Sequence, residues 1–450
     1  MATKKLADFA ANTEVNSKDF PYSRQLIMDA FACGVAGVKG PFADTLTGVY
    51  RGFGAAEQSS VLLSSRKISA RDAAAVNAYL ARNNTFDDVL ESGTVHSGAA
   101  VIMSALAVGE WLDASIEEML AAVILGYEVA ARVAAAINPR HYDKGFHPTG
   151  TCNPLGVAAA AAKLLGLDAA GTCGALRLAA DTACGYRQYQ IDGSIVNSAY
   201  HAAKSAESGI TSALLAREGF ADPGESLTGQ FGLFRCEAGE WDEEILLGGL
   251  GTEYRFLGAS LKPYPSCRFM HGAVDAVAAC LAANDLKKED LAQIRIVTFK
   301  MAAEEGDRPR PDTVLDAQFS IHYNIAAYLL KGGLSISDFT LEAIRAPEAA
   351  AYAKLVSVTA DEALTARYPK EWPYRAEVAT KDGRAFTAEA PKPSGSPEFP
   401  LSQAMLENKS RFQMAPVLGE EKTREFLAKL RDISAFGSCR AFTGYLSSLI

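Results

Sequence analysis

The sequence predicts a mainly α-helical protein with a large all-helical domain and a smaller α+β domain. Two observations carry this prediction. Alanine- and leucine-rich segments with helical spacing fill the first part of the chain, where only 6 of the 18 prolines precede Lys262. The other 12 prolines lie at Pro263 or beyond, together with runs of alternating β-branched residues that are typical of strands. We therefore expect a helical domain over residues 1–265, completed by helices in 401–450, and an α+β domain over 266–400.

The helices of the first domain are predicted from caps, breakers and spacing. Ser115 and Glu118 form a capping box, in which the two side chains satisfy backbone amides at the start of a helix. The helix that they open ends before Pro139, because proline disfavours helical geometry in the residue that precedes it. Small residues recur on these helices and allow them to approach closely. Further helices are predicted at Asn153–Leu165, from Asp168 to about Cys184, from about Ser198 to Arg217, and from Cys267 to Asn284.

The second domain is predicted from its strands. Residues 293–299 and 354–359 alternate with β-branched side chains, as strands do. Tyr374–Glu389 fits a hairpin in which Asp382-Gly383 supplies the positive φ of a tight turn. Residues 391–400 (PKPSGSPEFP) have the composition of a loop or linker. Two helices are expected to close the chain, at Leu401–Phe412 and Glu420–Ile433.

Composition argues against several classes of protein. The 450 residues carry 44 Lys+Arg against 53 Asp+Glu, a net charge of −9, so the basic footprint of a nucleic-acid binder is missing. The first residues do not resemble a secretion signal, and the apolar runs Gly98–Gly109 and Met119–Val129 fall short of the roughly 20 residues of a membrane helix. The eight cysteines are scattered, which favours reduced and mostly buried thiols. We expect a cytoplasmic protein that binds neither nucleic acid nor membrane.

Two segments combine breakers, hydroxyls and cationic groups in front of predicted helices. His147-Pro-Thr-Gly-Thr-Cys-Asn-Pro154 runs into an alanine-rich helix, and its hydroxyls and backbone amides are expected to face a docked group. The helix dipole favours a carboxylate there. Lys262-Pro-Tyr-Pro265 is held extended by its prolines and also leads into a helix, with Arg268 close by. Such a set of imidazole, ammonium and guanidinium groups suits a substrate with several carboxylates and a proton to be moved.

The histidines also have a purely structural interpretation. A lone histidine is more often a satisfied core or surface residue than a catalyst, and this applies most to His141, His201 and His322. His96 and His147 have proline, glycine and hydroxyl neighbours, which weaken that interpretation. No pair of histidines has the spacing of a helical metal site, so no metal is expected. Neither a dinucleotide-binding fingerprint nor a nucleophile elbow is found in the sequence.

Two polar pairs leave similar alternatives open. Asp87-Asp88 is a candidate for chemistry, but a helix cap near the Asn83-Asn84 turn would equally explain it. His201 and Lys204 lie three residues apart and share a face of a predicted helix, which a solvated surface would also explain.

Five motifs in order make the chain similar to members of the MmgE/PrpD family, which includes 2-methylcitrate dehydratase, cis-aconitate decarboxylase and iminodisuccinate epimerase. The resemblance covers nearly the whole chain. It implies a large all-helical domain and a smaller α+β lid domain, usually in a homodimer. The motifs are Phe86-Asp-Asp88 with His96, Gly145-Phe-His-Pro-Thr-Gly-Thr-Cys152, His201-Ala-Ala-Lys-Ser-Ala-Glu-Ser-Gly209, Lys262-Pro-Tyr-Pro-Ser-Cys-Arg-Phe-Met-His271 and Ala317-Gln-Phe-Ser-Ile-His-Tyr323.

The resemblance implies a pocket between the two domains and roles for the residues that line it. His147 is the expected proton-transferring base or acid, and His96 the second acid/base. Lys262 is expected to hold a carboxylate or stabilise an enolate-like intermediate, and Tyr323 to donate a proton or bind a carboxylate. No cofactor is expected. The candidate substrate-binding residues are Thr149, Thr151, Ser198, His201, Lys204, Arg268 and Asp88.

The chain departs from the decarboxylase-like pattern at three positions. Thr85 stands where those members carry an acidic residue, Val89 where threonine is common, and Ser198 where a lysine is usual. Loss of that lysine removes a partner for one substrate carboxylate. Lys204 lies six residues further along the predicted helix, which turns it to a different face.

The leading hypothesis is a cofactor-independent, dehydratase-like lyase that acts on a small di- or tricarboxylate by proton abstraction next to a carboxylate. An epimerase or isomerase and a decarboxylase are alternatives that use the same acid/base set. An inactive carboxylate-binding homologue is the alternative of another class. The expected partners are a small polycarboxylate substrate and a second copy of the chain.

Overall fold

The computed structural model describes residues 1–54, 56–220 and 222–449. The protein is mainly α-helical, with 60% helix and small sheets. The chain forms two compact units. The first comprises Met1–Gln188, Val196–Ala259 and Gln403–Ile450, and the second comprises Tyr189–Ile195 and Ser260–Ser402.

Helices dominate the chain up to residue 259. In chain order they are α1 (Ala2–Asn12), α2 (Pro21–Gly37), α3 (Ala43–Arg51), α4 (Ala70–Arg82), α5 (Gly98–Leu112), α6 (Ile116–Ile137), α7 (Arg140–Asp143), α8 (Pro148–Thr151), α9 (Asn153–Leu164), α10 (Ala169–Asp181), α11 (Gln188–Asp192), α12 (Ile195–Arg217), α13 (Leu233–Glu237) and α14 (Glu243–Leu247). The strands in this part of the chain have two residues each: β1 (Ser59–Ser60), β2 (Lys67–Ile68), β3 (Val89–Leu90) and β4 (Ala259–Ser260).

The remaining chain mixes helices with longer strands before it ends in helices. The helices of the second unit are α15 (Arg268–Ala283), α16 (Lys300–Gly306), α17 (Val314–Gln318), α18 (Ile321–Lys331), α19 (Leu341–Ile344), α20 (Pro347–Ala353) and α21 (Glu362–Thr365). Its strands are β5 (Leu291–Thr298), β6 (Val356–Ala360), β7 (Tyr374–Thr380) and β8 (Ala385–Ala390). The last helices, in the first unit, are α22 (Gln403–Leu418), α23 (Glu420–Arg431) and α24 (Cys439–Ser448).

Helix α6 is the central helix of the first unit. The predicted capping box is confirmed, because the Ser115 side chain accepts from the Glu118 backbone amide and the Glu118 carboxylate accepts from the Ser115 amide. The helix packs against α9 where two glycines meet. A Cβ atom on Gly126 would lie 2.5 Å from the carbonyl oxygen of Gly156, so only glycine allows this approach. The predicted close packing through small residues is therefore confirmed.

The same helix has the predicted bounds, but it is apolar over a longer stretch than the run Met119–Val129. Ile116–Ile137 is long and apolar enough to cross a membrane by length and composition, but 94% of its apolar window is buried inside the protein. The expectation that this run is too short was wrong, since the buried Glu128 and Arg132 pair one turn apart and do not interrupt the helix. Burial on this scale is what the core helix of a folded unit shows.

The buried pair on α6 also fixes the glycine-rich segment that follows α14. Arg132 Nε donates to Glu128 Oε1 over 2.6 Å, and its other nitrogens donate to the carbonyls of Gly248 at 2.8 Å and Glu253 at 2.7 Å. The second carboxylate oxygen of Glu128 accepts from the Phe256 backbone amide at 2.9 Å. The ion pair thus satisfies backbone groups of a segment that forms no regular ladder.

A four-stranded sheet forms the second unit's β-structure, in the order β6-β5-β7-β8. Strand β5 pairs parallel with β6 and antiparallel with β7, and β7 pairs antiparallel with β8. The predicted strands and the hairpin are confirmed, and Gly383 takes φ +90° in the turn. Helix α15 packs on this sheet so closely that a Cβ on Gly272 would lie 2.1 Å from the Tyr374 ring.

The end of the chain corrects the sequence prediction. A third helix, α24, follows the two that were expected, and α22 runs to Leu418 with Pro416 inside its last turn. The signals for α24 were present in the sequence. Ser438 caps its start, and buried Phe442 and Leu446 follow at helical spacing.

The cysteines agree with the expectation of reduced, mostly buried thiols. All eight are free, and Cys184 and Cys236 are the exposed ones.

Candidate active site

His147 lies at the start of the short helix α8, in front of α9. Its side chain is buried, with 3% of the residue exposed. Its backbone amide donates to the carbonyl of Gly185 at 3.0 Å, and its carbonyl accepts from the Gly150 amide at 2.8 Å. A Cβ on Gly150 would lie 2.5 Å from the carbonyl oxygen of Cys184, so glycine lets the two backbones meet. The segment after His147 is thus a helical turn, which hydrogen bonds and the close contact at Gly150 hold in place.

The imidazoles of His147 and His201 form a hydrogen-bonded pair. Their Nδ1 atoms are 2.7 Å apart, and the ring centroids are separated by 5.0 Å. Burial lowers the pKa of His147 well below its usual range, and the neighbouring His201 lowers it further. Burial, followed by the positive charge of Arg82, lowers the pKa of His201 to about 4. Both rings are therefore neutral at pH 7.

A neutral pair joined through Nδ1 has a fixed division of protons. One Nδ1 must donate and the other accept. The donating ring then carries a lone pair on Nε2, and the accepting ring carries its proton on Nε2. The pair thus offers one basic nitrogen and one N–H donor, whichever ring donates.

His96 is joined to the same helical turn. Its backbone amide donates to Thr149 Oγ1 at 3.3 Å, and its carbonyl accepts from Asn153 Nδ2 at 2.7 Å. Its Nδ1 lies 2.6 Å from the Asp88 carbonyl oxygen. A carbonyl only accepts, so Nδ1 carries a proton, and whenever the ring is neutral its lone pair is on Nε2. Thr149 and Asn153 thus join His96 to the turn that carries His147, and the His147 ring bonds to His201. We call these hydrogen-bonded segments of the first unit the histidine frame.

Asp87 and Asp88 are both fully buried beside this frame. Asp87 Oδ1 accepts from Arg82 at 2.8 Å, and Asp87 Oδ2 lies 3.7 Å from His96 Nδ1. Asp88 Oδ2 accepts from the Tyr127 hydroxyl and, at 3.3 Å, from the backbone amide at the start of α5. Burial, reinforced by the charge of Asp87, raises the pKa of Asp88 to about 7. The Asp88 carboxylate, a predicted substrate-binding group, is thus turned toward Tyr127 and a helix start.

The two threonine hydroxyls have partners within the protein. Thr149 Oγ1 accepts from the His96 amide, and Thr151 Oγ1 lies 3.0 Å from His141 Nε2. His141 is fully buried and its Nε2 also contacts Glu237 at 2.9 Å, in line with its structural interpretation. That these hydroxyls also face a ligand stays a prediction.

Helix α12 carries three further predicted residues with separate surroundings. Ser198 is buried, three residues before His201. Lys204 does not join the histidines: its Nζ lies 3.4 Å from Glu207 Oε1, and it lines a cavity of about 430 Å³ with aromatic residues such as Tyr200. His201 and Lys204 therefore have different partners, although their spacing places them on one helical face.

Lys262 and Arg268 belong to the second unit. Lys262 is fully buried, and its positive charge opposes the burial that raises the pKa of Cys267 to about 11. Arg268 binds the loop that was predicted at residues 391–400. Its guanidinium donates to the carbonyls of Ser394 at 2.7 Å and Pro393 at 3.2 Å. Its described bonds are therefore structural.

The same loop approaches the backbone next to Lys262. The Leu261 amide donates to the Gly395 carbonyl at 2.9 Å. Gly395 has φ +83°, and a Cβ there would lie 1.9 Å from the Leu261 carbonyl oxygen. Asp275 holds the loop through the amide of Ser394 at 2.7 Å.

Tyr323 lies on α18, near the segment that holds Lys262. Gln318 links the two segments, since its carbonyl accepts from the Cys267 amide at 2.9 Å and its side chain donates to the Pro265 carbonyl at 3.1 Å. The Tyr323 hydroxyl donates to the Asp338 carbonyl, and burial raises the Tyr323 pKa to about 12. The phenol is therefore protonated at pH 7, and the Asp338 carbonyl accepts its proton. The role of Tyr323 as a donor to substrate stays a prediction.

His322, which precedes Tyr323 in the same motif, has structural partners. His322 is buried and its Nε2 lies 2.8 Å from Asp307 Oδ1. Within residues 1–54, 56–220 and 222–449, no group of three or more His, Cys, Asp or Glu side chains is arranged to hold a metal ion.

Sequence analysis missed the supports of His96. Arg82 and Tyr127 hold the two aspartates, yet one is the last residue of α4 and the other lies in the middle of α6. Buried positions on amphipathic helices carry no local signal for a polar partner. Arg82, five residues before Asp87, was the one that charge spacing could have suggested.

The protein is thus a mainly α-helical chain of two units, and the first unit contains a buried, hydrogen-bonded pair of histidines. The sequence signatures of the MmgE/PrpD N-terminal domain and the MmgE/PrpD C-terminal domain match residues 4–245 and 264–432. The chain belongs to the MmgE/PrpD family.

Curated relatives over most of the chain are named as decarboxylases. The cis-aconitate decarboxylase of Aspergillus terreus is 24% identical, over 96% of this chain and 94% of its own. The cis-aconitate decarboxylases of Mus musculus and Homo sapiens are 26% and 27% identical, each over 83% of this chain and 78% and 79% of their own.

Proposed function

We propose that the protein is a lyase that acts on a small di- or tricarboxylate by moving a proton next to a carboxylate. One observation carries the proposal: the His147–His201 pair is buried, neutral and bonded through Nδ1, with His96 on the same frame. Membership of the family supports it, as do the relatives named cis-aconitate decarboxylase. The chemistry needs no cofactor.

His147, in its pair with His201, and His96 supply the two proton-transfer functions that such a lyase needs. In a dehydration, a basic Nε2 takes the proton from the carbon next to the carboxylate, and an N–H protonates the departing hydroxyl, which leaves as water. In a decarboxylation, the electrons of the breaking C–CO₂ bond stay on the substrate carbon, which an N–H then protonates. General acid–base catalysis of this kind contributes roughly 10²–10⁴-fold to a rate. His147 is our choice for the principal proton carrier, and His96 for the second.

The roles of Lys262 and Tyr323 in this proposal come from the family resemblance. A buried ammonium is suited to binding a carboxylate or an enolate-like oxygen, because its charge is worth more away from water. The Tyr323 phenol would donate to a substrate carboxylate by exchanging its bond with the Asp338 carbonyl for one with the ligand. The decisive variants are Lys262→Met and Tyr323→Phe, each of which should raise KM or lower kcat without changing the proton carriers.

Among the lyase reactions, decarboxylation is favoured by the names of the relatives, and dehydration was the prediction from sequence. A panel of cis-aconitate, hydroxytricarboxylates and dicarboxylates separates them. Carbon dioxide release marks decarboxylation, and new enoate absorbance in the ultraviolet without carbon dioxide marks dehydration. Exchange of substrate hydrogen with deuterated water alone would mark the epimerase alternative. His147→Gln is the matched variant, expected to abolish whichever signal appears.

Silence across the whole panel would refute the lyase. Thermal stabilisation by a tricarboxylate with no turnover would then favour the carboxylate-binding homologue instead.

The proposal extends to assembly and location. A homodimer, a lid function for the second unit and a cytoplasmic location are proposed with it. Light scattering after size-exclusion chromatography gives the mass of the particle, and a monomer at micromolar concentration would refute the dimer. Protection of the second unit from proteolysis by substrate would support the lid.

A further inference from the structure

A buried lysine of helix α22 binds the backbone of the segment that holds His96. The Lys409 side chain is 4% exposed. Its Nζ donates to Asp29 Oδ1 on α2 at 2.5 Å and to the Phe86 carbonyl at 2.9 Å, and it lies 4.3 Å from the centroid of the Phe86 ring. Asp29 is fully buried. Burying an ion pair gives little net stability compared with apolar residues, so this lysine calls for a reason beyond packing.

The segment that Lys409 holds is fixed residue by residue, from three different helices. Lys409 takes the carbonyl of Phe86. Arg82, on α4, binds the side chain of Asp87 at 2.8 Å. The carboxylate of Asp88 is bonded by the hydroxyl of a tyrosine on α6. Each of the three consecutive residues thus has its own buried partner.

The backbone just before this segment needs such support. Thr85, a non-glycine residue, has φ +57°, in the left-handed region that costs free energy for a β-branched side chain. If the Phe86 carbonyl were released, the chain could relax toward ordinary geometry. That relaxation would move the Asp88 carbonyl, which lies two peptide groups further on and accepts from His96 Nδ1 over 2.6 Å.

We propose that Lys409 is a positioning residue for His96, which it orients by fixing the Phe86–Asp88 backbone that accepts the imidazole's Nδ1 proton. The inference rests on the proposed function, in which His96 transfers a proton through Nε2. The segment also carries buried ion pairs, since Asp87 pairs with Arg82 at 2.8 Å and Lys409 pairs with Asp29. Loss of Lys409 therefore disturbs the direction of the His96 ring.

The test is Lys409→Met, which keeps the length of the side chain and removes its charge and its donors. Misplacing a catalytic group by about 1 Å can cost about 10²-fold, so kcat should fall about 10- to 100-fold while KM changes less than about threefold. Arg411→Met is the control, since Arg411 lies on the same helix and pairs with Glu420 at the surface.

Nitrogen NMR of histidine-labelled protein reports on the ring directly. His96 is assigned with a His96→Gln sample, and Lys409→Met should shift its Nδ1 and Nε2 signals while Arg411→Met leaves them in place. A folded Lys409→Met protein with kcat within about twofold of wild type and an unchanged His96 spectrum would overturn the proposal.

A second variant keeps the test open if the first protein does not fold. Asp29→Asn with Lys409→Met removes both charges and so leaves no unpaired buried ion. It should show the same loss of kcat and the same change of the His96 signals, and an unchanged spectrum would count against the proposal. If the wild type turns over no carboxylate, the proposed function fails, and the NMR comparison alone still decides whether Lys409 orients His96.

Discussion

The His147–His201 pair is expected to stay neutral at pH values far below the usual pKa range of histidine. Burial, followed by the charge of Arg82, lowers the pKa of His201 to about 4, against an ordinary value near 6.5. At about 1.4 kcal/mol per pH unit, this difference is worth about 3 kcal/mol in favour of the neutral ring. Nitrogen NMR of histidine-labelled protein between pH 7.5 and 4 measures it, with circular dichroism to show that the fold persists.

One substitution separates the two causes that lower the pKa of His147. His201→Gln removes the neighbouring charge that lowers the pKa of His147, but it leaves the burial that is the larger cause. The pKa of His147 should therefore rise and still remain below the ordinary value. If His201 in the wild type titrates near pH 6.5, or if the substitution brings His147 to that value, the argument from burial is refuted.

The same shift sets a pH dependence of stability. Folding lowers the His201 pKa, so the unfolded state binds the proton more readily than the folded state. The contribution to stability is complete above about pH 6.5 and is lost as the pH falls toward about 4, by about 1.4 kcal/mol per pH unit. Asp88 acts in the opposite sense, since its pKa is raised to about 7 and its contribution is lost as the pH rises. Urea unfolding of the wild type and His201→Gln, compared at each pH, isolates the histidine because Asp88 is common to both.

Three further substitutions test the packing. Gly395→Ala places a Cβ 1.9 Å from the Leu261 carbonyl oxygen at a φ of +83°. We expect the free energy of unfolding of the second unit, measured with urea, to fall by about 1–3 kcal/mol. Gly383→Ala is the comparison, because Gly383 also has a positive φ but lies in an open turn. Arg132→Met leaves the buried Glu128 carboxylate without its cation and should cost about 3–5 kcal/mol, visible as a lower Tm; a change below about 1 kcal/mol would contradict the role assigned to the pair. Gly126→Ala should destabilise the first unit by about 1–3 kcal/mol through overpacking against α9, and an unchanged Tm would show that the two helices can separate freely.

The sequence predicted the helices whose starts and ends are marked by local signals, such as a capping box or a proline. The capping box at Ser115 and the stop before Pro139 set the limits of α6, because both act through backbone groups within a few residues. The strands and the turn at Gly383 were predicted for the same reason. Helix α24 was not predicted, although its cap at Ser438 and the spacing of its apolar residues are local signals that the sequence contains.

The site was predicted less completely, because its geometry depends on partners far along the chain. The histidine segments were identified, but not the bond between His147 and His201, which lie 54 residues apart. Lys409 was not identified at all, since 323 residues separate it from the Phe86 carbonyl that it binds. The direction in which Thr149 points could not be read from a loop composition, because a hydroxyl bonds to whichever backbone group the fold places nearest.

Close backbone approach is what converts these separated segments into one site. A Cβ on Gly98 would lie 2.1 Å from Asp88 Oδ1, and a Cβ on Gly150 would lie 2.5 Å from the Cys184 carbonyl. The first contact sets the distance between the start of α5 and the segment that orients His96. The second sets the distance between the His147 turn and the strand-like backbone that leads toward α12. A side chain at Gly150 would move the His147 turn without meeting a titratable side chain, so we expect the rate of the proposed reaction to fall while the ring pKa values change little. A side chain at Gly98 would displace the Asp88 carboxylate as well, so there we expect both the rate and the Asp88 pKa to change.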